Sequence, residues 1–402
     1  MILPSCLTEL TDFIPYGKQN IEQDDINEVL KVLRSDFLTQ GPLVEQFERQ
    51  ICDKLLPKYA IAANSATSAL HISCMALGIN ENDTVWTSPN SFVASANCAI
   101  YCGAKIDFVD IDIKTGLISI NELTKKLEEA ARLDKLPSLL IPVHLGGASC
   151  DMEEISNLSQ KYGFKILEDA SHAIGGKYKG AYVGSCKYSD ITVFSFHPVK
   201  IITTAEGGVA TTNNNLYAER LFKLRSHGIE KNHKKFFSPT DKPWVYEQQM
   251  LGYNYRMTDV HAAIGISQLK KLDKFVQERN EIFKVYRDLF CNIDLFSFLE
   301  IQAEVYSSFH LAVLILNKRA ITFHKEIFMF LRESRIGVQI HYIPIHCQPF
   351  YKKLGFKKGD FPNAEDYADR AISIPIFPGL TYENQKYIYS KFKEIFKSYK
   401  IL

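Results

Sequence analysis

No stretch of this 402-residue chain approaches the ~20 consecutive apolar residues a membrane helix requires, so no membrane span is expected. Charge of one sign is equally scarce. The 47 Lys and Arg balance 46 Asp and Glu, and no basic stripe or acidic tail marks a nucleic-acid or membrane partner. The nine cysteines are odd in number and form no CxxC pair. That argues against a disulfide framework and for reduced, mostly buried thiols in a soluble cytoplasmic protein. Met1 to Pro15 has neither a basic start nor a continuous apolar centre, so no signal peptide is expected. GxxxxGK[ST], a GxGxxG after a strand, and HExxH are all missing. A P-loop NTPase and a dinucleotide-binding domain are thereby disfavoured, and no metal is expected.

What is present is alternation. From Tyr59 to Thr211 short apolar runs take turns with helical segments. Strands are predicted at Tyr59 to Ala63, Thr84 to Thr87, Ile106 to Val109, Leu139 to Val143 and Phe164 to Leu167. Helices fall between them, at Thr67 to Leu77, Phe92 to Tyr101, Ile118 to Ala131 and Met152 to Tyr162. This pattern argues for a parallel α/β sheet. Ile191 to Phe196 and Gly208 to Thr211 follow with no helix between them, which predicts a hairpin-like or antiparallel addition. Asp24 to Leu33 and Val44 to Leu55 read as helices ahead of the sheet. Met257 to Leu289 reads as one long helix joining a large domain, residues 1–270, to a small C-terminal α+β domain, residues 271–402. The small domain has a strand at Leu311 to Leu316 and helices at His324 to Arg335 and Asn384 to Ser398.

Three strand ends carry candidate chemistry. Asn64-Ser65-Ala66-Thr67-Ser68-Ala69-Leu70 feeds a strand into a helix start, whose free N–H groups and dipole suit a phosphate. In Ile166-Leu167-Glu168-Asp169-Ala170-Ser171-His172-Ala173 an apolar strand ends in Asp169, where α/β proteins bind ligands. That carboxylate could pair with a protonated pyridine nitrogen. In Phe194-Ser195-Phe196-His197-Pro198-Val199-Lys200 a lysine follows a strand within a turn of small and β-branched residues. Partial desolvation there lowers a lysine pKa and makes it a Schiff-base nucleophile. Taken singly, a capped helix, a capping Asp or a surface lysine needs no ligand. Together, in this order, they are the three contacts a pyridoxal phosphate (PLP) site needs.

This constellation resembles the DegT/DnrJ/StrS family of PLP-dependent sugar aminotransferases, from Ile14 to about Lys397. Further matching stretches are Phe37 to Pro42 with Phe47-Glu48, Ser91 to Asn97, Thr203 to Gly208, Arg225 to Gly228, and Gly252 to Met257. The resemblance implies fold type I, with a mostly parallel seven-stranded sheet. It also implies roles: Lys200 would carry PLP, Asp169 would pair with the ring nitrogen, and His172 would sit near the ring oxygen. Phe92 would stack on the ring, and the Ala66 and Thr67 amides with Ser195 would hold the phosphate. Asn254 would arrive from a second subunit of a homodimer. Tyr16, the segment Asp36, Phe37, Leu38 and Thr39, and the segment Gln339, Ile340, His341 and Tyr342 would line the sugar side. Each of Phe92, His172, His341 and Tyr342 has a plain packing alternative.

Within the family, Gly337 to His346 looks most like the branch that aminates a UDP-linked 4-keto-6-deoxy-N-acetylhexosamine for pseudaminic acid, with L-glutamate as donor. Another nucleotide-linked ketosugar (perosamine or bacillosamine type) or a sugar dehydratase stays open, although dehydratase relatives replace the lysine with histidine. Two departures stand out. Met1 to Asp12 precede the usual family start, and Ile201 stands where relatives often have Pro.

Overall fold

The computed structural model describes residues 12–399. Met1 to Asp12, the segment with no family counterpart, lies outside them but for its last residue. The centre is a seven-stranded sheet: β1 (Tyr59–Ala63), β2 (Thr84–Thr87), β3 (Lys105–Phe108), β4 (Leu139–Ile141), β5 (Lys165–Asp169), β6 (Ile191–Ser195) and β7 (Gly208–Thr212). The order across the sheet is β1-β7-β6-β5-β4-β2-β3. Only β7 runs against its neighbours, antiparallel to β1 and β6, as two successive strands without a helix between them should. β4, β6 and β7 are buried along their whole length, because helices cover both faces of the sheet.

The helices of eight or more residues are α1 (Gln23–Leu33), α2 (Pro42–Leu55), α3 (Ala66–Ala76), α4 (Ala94–Tyr101), α5 (Ile120–Arg132), α6 (Met152–Tyr162), α7 (Asn215–Leu224), α8 (Asp259–Leu269), α9 (Leu272–Phe290), α10 (His324–Glu333), α11 (Pro362–Arg370) and α12 (Tyr382–Ser398). α5 buries only Leu123, Leu127 and Ala130, one stripe of a surface helix. α3 is buried on nearly every side from Ser68 to Cys74, so its N-terminal end is held rigidly at the sheet edge. No helix among the described residues is long and apolar enough to cross a membrane. Every described cysteine is free, and Cys74, Cys98, Cys150 and Cys186 are buried.

The expected single helix from Met257 to Leu289 is two helices. At the junction the Lys271 N–H bonds the Gln268 carbonyl at 3.0 Å, a tight turn, and Lys271 Nζ is drawn to Asp24 and Asp25, each at 2.8 Å. The apolar spacing runs on across this kink, so periodicity alone could not reveal it. α9 bridges two cores. Leu272, Phe275 and Val276 pack with Phe47, Ile201 and Met257. Ile282, Phe283, Tyr286 and Phe290 pack with the C-terminal elements. Those include an antiparallel sheet of β8 (Phe296–Phe298), β9 (Ala312–Leu316) and β10 (Ala371–Ile374), of which only β9 was expected from the sequence.

The amino-terminal segment docks on this second core. Ile14 pairs with Ile336, and the Gly337 N–H bonds the Ile14 carbonyl at 2.6 Å. A side chain at Gly337 would meet the Tyr16 nitrogen at 2.7 Å, so glycine there lets Tyr16 reach the sheet edge.

Candidate active site

β1, β5 and β6 end, and β7 begins, at one edge of the sheet. Gly208 pairs with both Ala63 and Ser195. A Cβ on Gly208 would lie 2.5 Å from the Ala66 nitrogen, so glycine is what lets the start of α3 close against the strands. The Ser65 side chain caps α3 by accepting from the Ser68 N–H at 3.0 Å. The Ala66 and Thr67 N–H groups in the first turn have no acceptor within the helix. Together with the buried Ser195, they form a cup with the donors a phosphate takes.

β5 presents two carboxylates to opposite faces, as strand alternation demands. Glu168 accepts from His144 Nε2 at 2.7 Å, from Thr192 at 2.8 Å and from Ser189, and is satisfied within the core. The Cys150 N–H donates to His144 Nδ1, so that ring gives its one proton to Glu168. Asp169 faces the other way. Its Oδ2 accepts from Ser95 at 2.5 Å, and its Oδ1 from the Ser171 N–H at 3.1 Å and hydroxyl at 2.6 Å. Ser95, in the first turn of α4, was not foreseen as a site residue. Its signal was its place one turn after Ser91, to which it is bonded at 2.7 Å.

Lys200 sits in the loop between β6 and β7. Thr203 Oγ1 and the Thr204 N–H both bond the Phe196 carbonyl, which closes the loop on its strand. Ile201 and Ile202 are buried beside Phe47, so the backbone after Lys200 cannot swing. Burial pulls the Lys200 ammonium down to about 8 from an ordinary lysine value of 10.5, against the opposing charge of Asp169. Its Nζ donates no hydrogen bond to any described residue.

Around Lys200 stand three histidines. The Gly146 N–H donates to His172 Nδ1 at 3.3 Å, so His172 keeps its proton on Nε2, which faces Tyr342 Oη at 3.2 Å. Burial first, then the Lys200 charge, pushes His172 well below its usual range. The same two causes push His341 down to about 3, with its Nδ1 at 2.8 Å from Ser373 Oγ. His310 was not foreseen. Its ring lies 4.2 Å from that of His172, and its Nδ1 is buried without a partner. Tyr16 packs its ring 5.3 Å from that of His341, and Gly17 lies beside the Val199 carbonyl, which brings Tyr16 to the lysine loop. Asn90, also not foreseen, accepts from the Tyr342 N–H at 3.1 Å. Phe92 is 59% exposed, and its ring centre is 6.3 Å from that of Tyr342.

Other expected residues are not brought to this cluster within the chain. Asp36, Phe37, Leu38 and Thr39 are exposed on a segment clipped to α8, where the Asp259 carboxylate accepts from the Gly41 and Leu43 N–H groups and the Asp259 N–H bonds the Leu38 carbonyl. Gln339 is exposed and pairs with Ser373 through its backbone, and Ile340 is half-buried beside it. Asn254 is exposed and bridges to Ser226, with only its carbonyl touching Asn64, at 3.5 Å. Two matching motifs turn out to brace the fold. Arg225 pairs with Glu48 and donates to the Ala62 carbonyl at 2.8 Å, locking α2 to β1.

A half-buried lysine whose amine bonds no described residue, a carboxylate one strand away, an open cup of N–H groups and an exposed aromatic ring fit PLP as a set. Fold and site together define a PLP-dependent aminotransferase. The chain belongs to the DegT/DnrJ/EryC1/StrS aminotransferase family, whose model matches residues 19–393. It is 41% identical to the UDP-4-amino-4,6-dideoxy-N-acetyl-beta-L-altrosamine transaminase of Campylobacter jejuni, covering 93% of this chain and 95% of that one. Among solved structures it is similar to Helicobacter pylori PseC, an aminotransferase involved in the biosynthesis of pseudoaminic acid. That likeness has a TM-score of 0.87 and 31% identity, over 96% of this chain and all of that one. The PLP form of a sugar aminotransferase from Streptococcus pneumoniae matches with a TM-score of 0.86 and 27% identity, over 97% of this chain and 100% of that one. The chain is thus a sugar aminotransferase by family.

Proposed function

We propose that this enzyme moves an amino group from L-glutamate to C4 of a UDP-linked 4-keto-6-deoxy-N-acetylhexosamine, giving UDP-4-amino-4,6-dideoxy-N-acetyl-β-L-altrosamine. The likeness to the Campylobacter transaminase along nearly the whole chain carries the choice of sugar. The gathering of Lys200, Asp169 and the cup carries the chemistry.

When bound, PLP supplies a carbonyl carbon that amines can join and a ring that draws electrons away from them. Lys200 offers a half-neutral amine near pH 8 to hold that group, and Asp169 sets a carboxylate where the ring nitrogen needs one. Ala66, Thr67 and Ser195 bind the phosphate, Phe92 covers a ring face, and His172 stands at the ring oxygen. Freed by the incoming amino acid, Lys200 Nζ accepts the proton of its α-carbon. In the return half it delivers a proton to C4 of the sugar. Positioned acid–base groups of this kind give roughly 10²–10⁴-fold. Tyr16, His341 and Tyr342 line the sugar side.

Asn254 and the segment Asp36 to Thr39 serve the site of a second copy. The exposed Leu38, Trp244 and Leu251 supply apolar surface for a homodimer to cover. Mixing Lys200→Ala with Asn254→Ala tests this. One intact site per mixed dimer should restore activity, and none would return if each chain completes its own.

For the sugar, PLP-loaded protein is converted with L-glutamate, freed of amino acid and given ketosugars singly. Return of the original absorbance with the UDP-linked β-L-arabino 4-keto sugar, and not with its D-xylo epimer, is expected. Return only with another nucleotide sugar would keep the transaminase and move its pathway.

A further inference from the structure

Past Tyr342 the chain makes one helical turn, Ile345–Cys347, before a mostly exposed stretch leads to α11. Both ends are fixed. The Ile345 N–H bonds the Pro89 carbonyl at 2.8 Å, and the Asn363 and Ala364 N–H groups at the start of α11 bond the Asp110 carboxylate at 2.9 and 3.0 Å. At this junction three unlike side chains meet. His346 Nε2 lies 2.9 Å from Glu365 Oε1 and 3.4 Å from Cys347 Sγ, and the three ligating atoms all fall within 4.8 Å of one another. His346 is fully buried, and Cys347 and Glu365 are half-buried. Transamination as drawn above uses none of these groups.

We propose that His346, Cys347 and Glu365 bind one divalent cation of the zinc class, with water as the fourth ligand, and so fasten the turn after Tyr342 to α11. Hydrogen bonding alone leaves the trio mismatched. A neutral imidazole Nε2 offers one proton or one lone pair, yet a carboxylate and a thiol both face it. If the nitrogen donates to Glu365, the thiol finds no acceptor there. A metal ion takes all three at once. Imidazole, thiolate and carboxylate are zinc ligands at ~2.0–2.3 Å, which sets tetrahedral neighbours roughly 3.3–3.6 Å apart. The two separations from His346 already lie within a few tenths of an ångström of that span. The widest gap closes by about an ångström, which two half-buried side chains can supply. Thiolate and carboxylate together balance the ion's two charges, as a partly buried cation requires.

Binding is expected to be moderate. The Cys347 thiol must give its proton to solvent, and the ring proton must sit on His346 Nδ1, which is buried without a partner. A ligating histidine ordinarily donates that proton, and lacking the acceptor costs roughly 10–100-fold in affinity. Zinc affinity on the order of micromolar rather than nanomolar follows. The sequence-based expectation of no metal rested on short motifs, and no short motif carries this site. Glu365 stands 19 residues from His346 and comes to it only through the docking of α11. The test reads metal rather than turnover, so it stands or falls apart from the proposed function.

Full-length protein loaded with PLP is stripped of metal with a chelator, freed of the chelator, and titrated at neutral pH. Zinc binding is read by calorimetry and cobalt(II) binding by visible absorbance. One equivalent of zinc should bind. Cobalt should give the intense visible bands of a tetrahedral ion with a thiolate ligand, at wavelengths where PLP does not absorb. Saturating zinc should raise the melting temperature by on the order of a few degrees. Cys347→Ser should weaken zinc about tenfold or more, erase the bands and cancel the melting shift. Glu365→Gln, which keeps the side chain's size, should weaken zinc likewise. Both variants leave the buried His346 in place, and their melting without metal reports that they fold. No bound equivalent, the faint bands of an octahedral ion, or an affinity unchanged in both variants, which would mark an adventitious ion only, would each overturn the assignment.

Discussion

Asp169 and Lys200 sit where buried strands stop, each held by short local bonds, whereas Phe37 and Leu38 ride on an exposed segment clipped by one carboxylate. On the proposed reading the contrast separates the cofactor end from the sugar end. Strand ends in a covered sheet can aim a group within one chain, because the backbone beneath has no freedom. An exposed segment is placed by what later covers it, so its residues tune binding rather than chemistry.

Lys200→Ala tests the contrast most strongly. On the proposed reading it removes both nucleophile and proton carrier, and single-turnover rates with L-glutamate should fall by ~10²–10⁴ or more. Near-normal turnover would mean the reacting group lies elsewhere. Asp169→Asn should come next, with a loss of roughly ten- to thousand-fold, the range set by removing a contact charge from a titrating ring. Its readout is the pH titration of the bound cofactor's absorbance, which should shift in the variant and would stay put if Asp169 only caps the turn.

The third effect is in pH. Cofactor attachment to the apo protein needs neutral Lys200 amine, so its rate should climb about tenfold per unit below pH 8 and level off above it. A rise continuing to pH 10 would mark a solvated lysine and break the comparison. Tyr342→Phe deletes one hydroxyl bond to His172, a change of ~1 kcal/mol, so a fall of about fivefold in kcat/KM is expected. Phe37→Ala should act least, raising the sugar KM a few-fold with kcat held, about 1 kcal/mol and below the ~1.5–3 kcal/mol a fully buried side chain contributes. If it cut kcat as deeply as Asp169→Asn, the two ends would not differ in kind.

Much of this was legible beforehand because it is local. The run of buried strands, the small polar helix start after Asn64, and the β-branched turn after Lys200 each follow from neighbouring residues. Ile201 stands where relatives often have Pro. The structure buries it beside Phe47, so packing holds the loop where a ring would have held φ. The kink at Lys271 was hidden because apolar spacing continues through it. β8 and β10 were missed because each is only three or four residues long.

By itself the sequence determined the order of cup, carboxylate and lysine, and the alternation that sets them at one sheet edge, since both depend on residues a few positions apart. Tertiary structure alone decided what each of two neighbouring carboxylates meets. Glu168 and Asp169 point to opposite faces, furnished by His144 and Thr192 on one side and by Ser95 on the other. It also decided the Tyr342–His172 contact, across 170 residues, and the burial of His310 behind it. Such pairings cost chain entropy that no local pattern records.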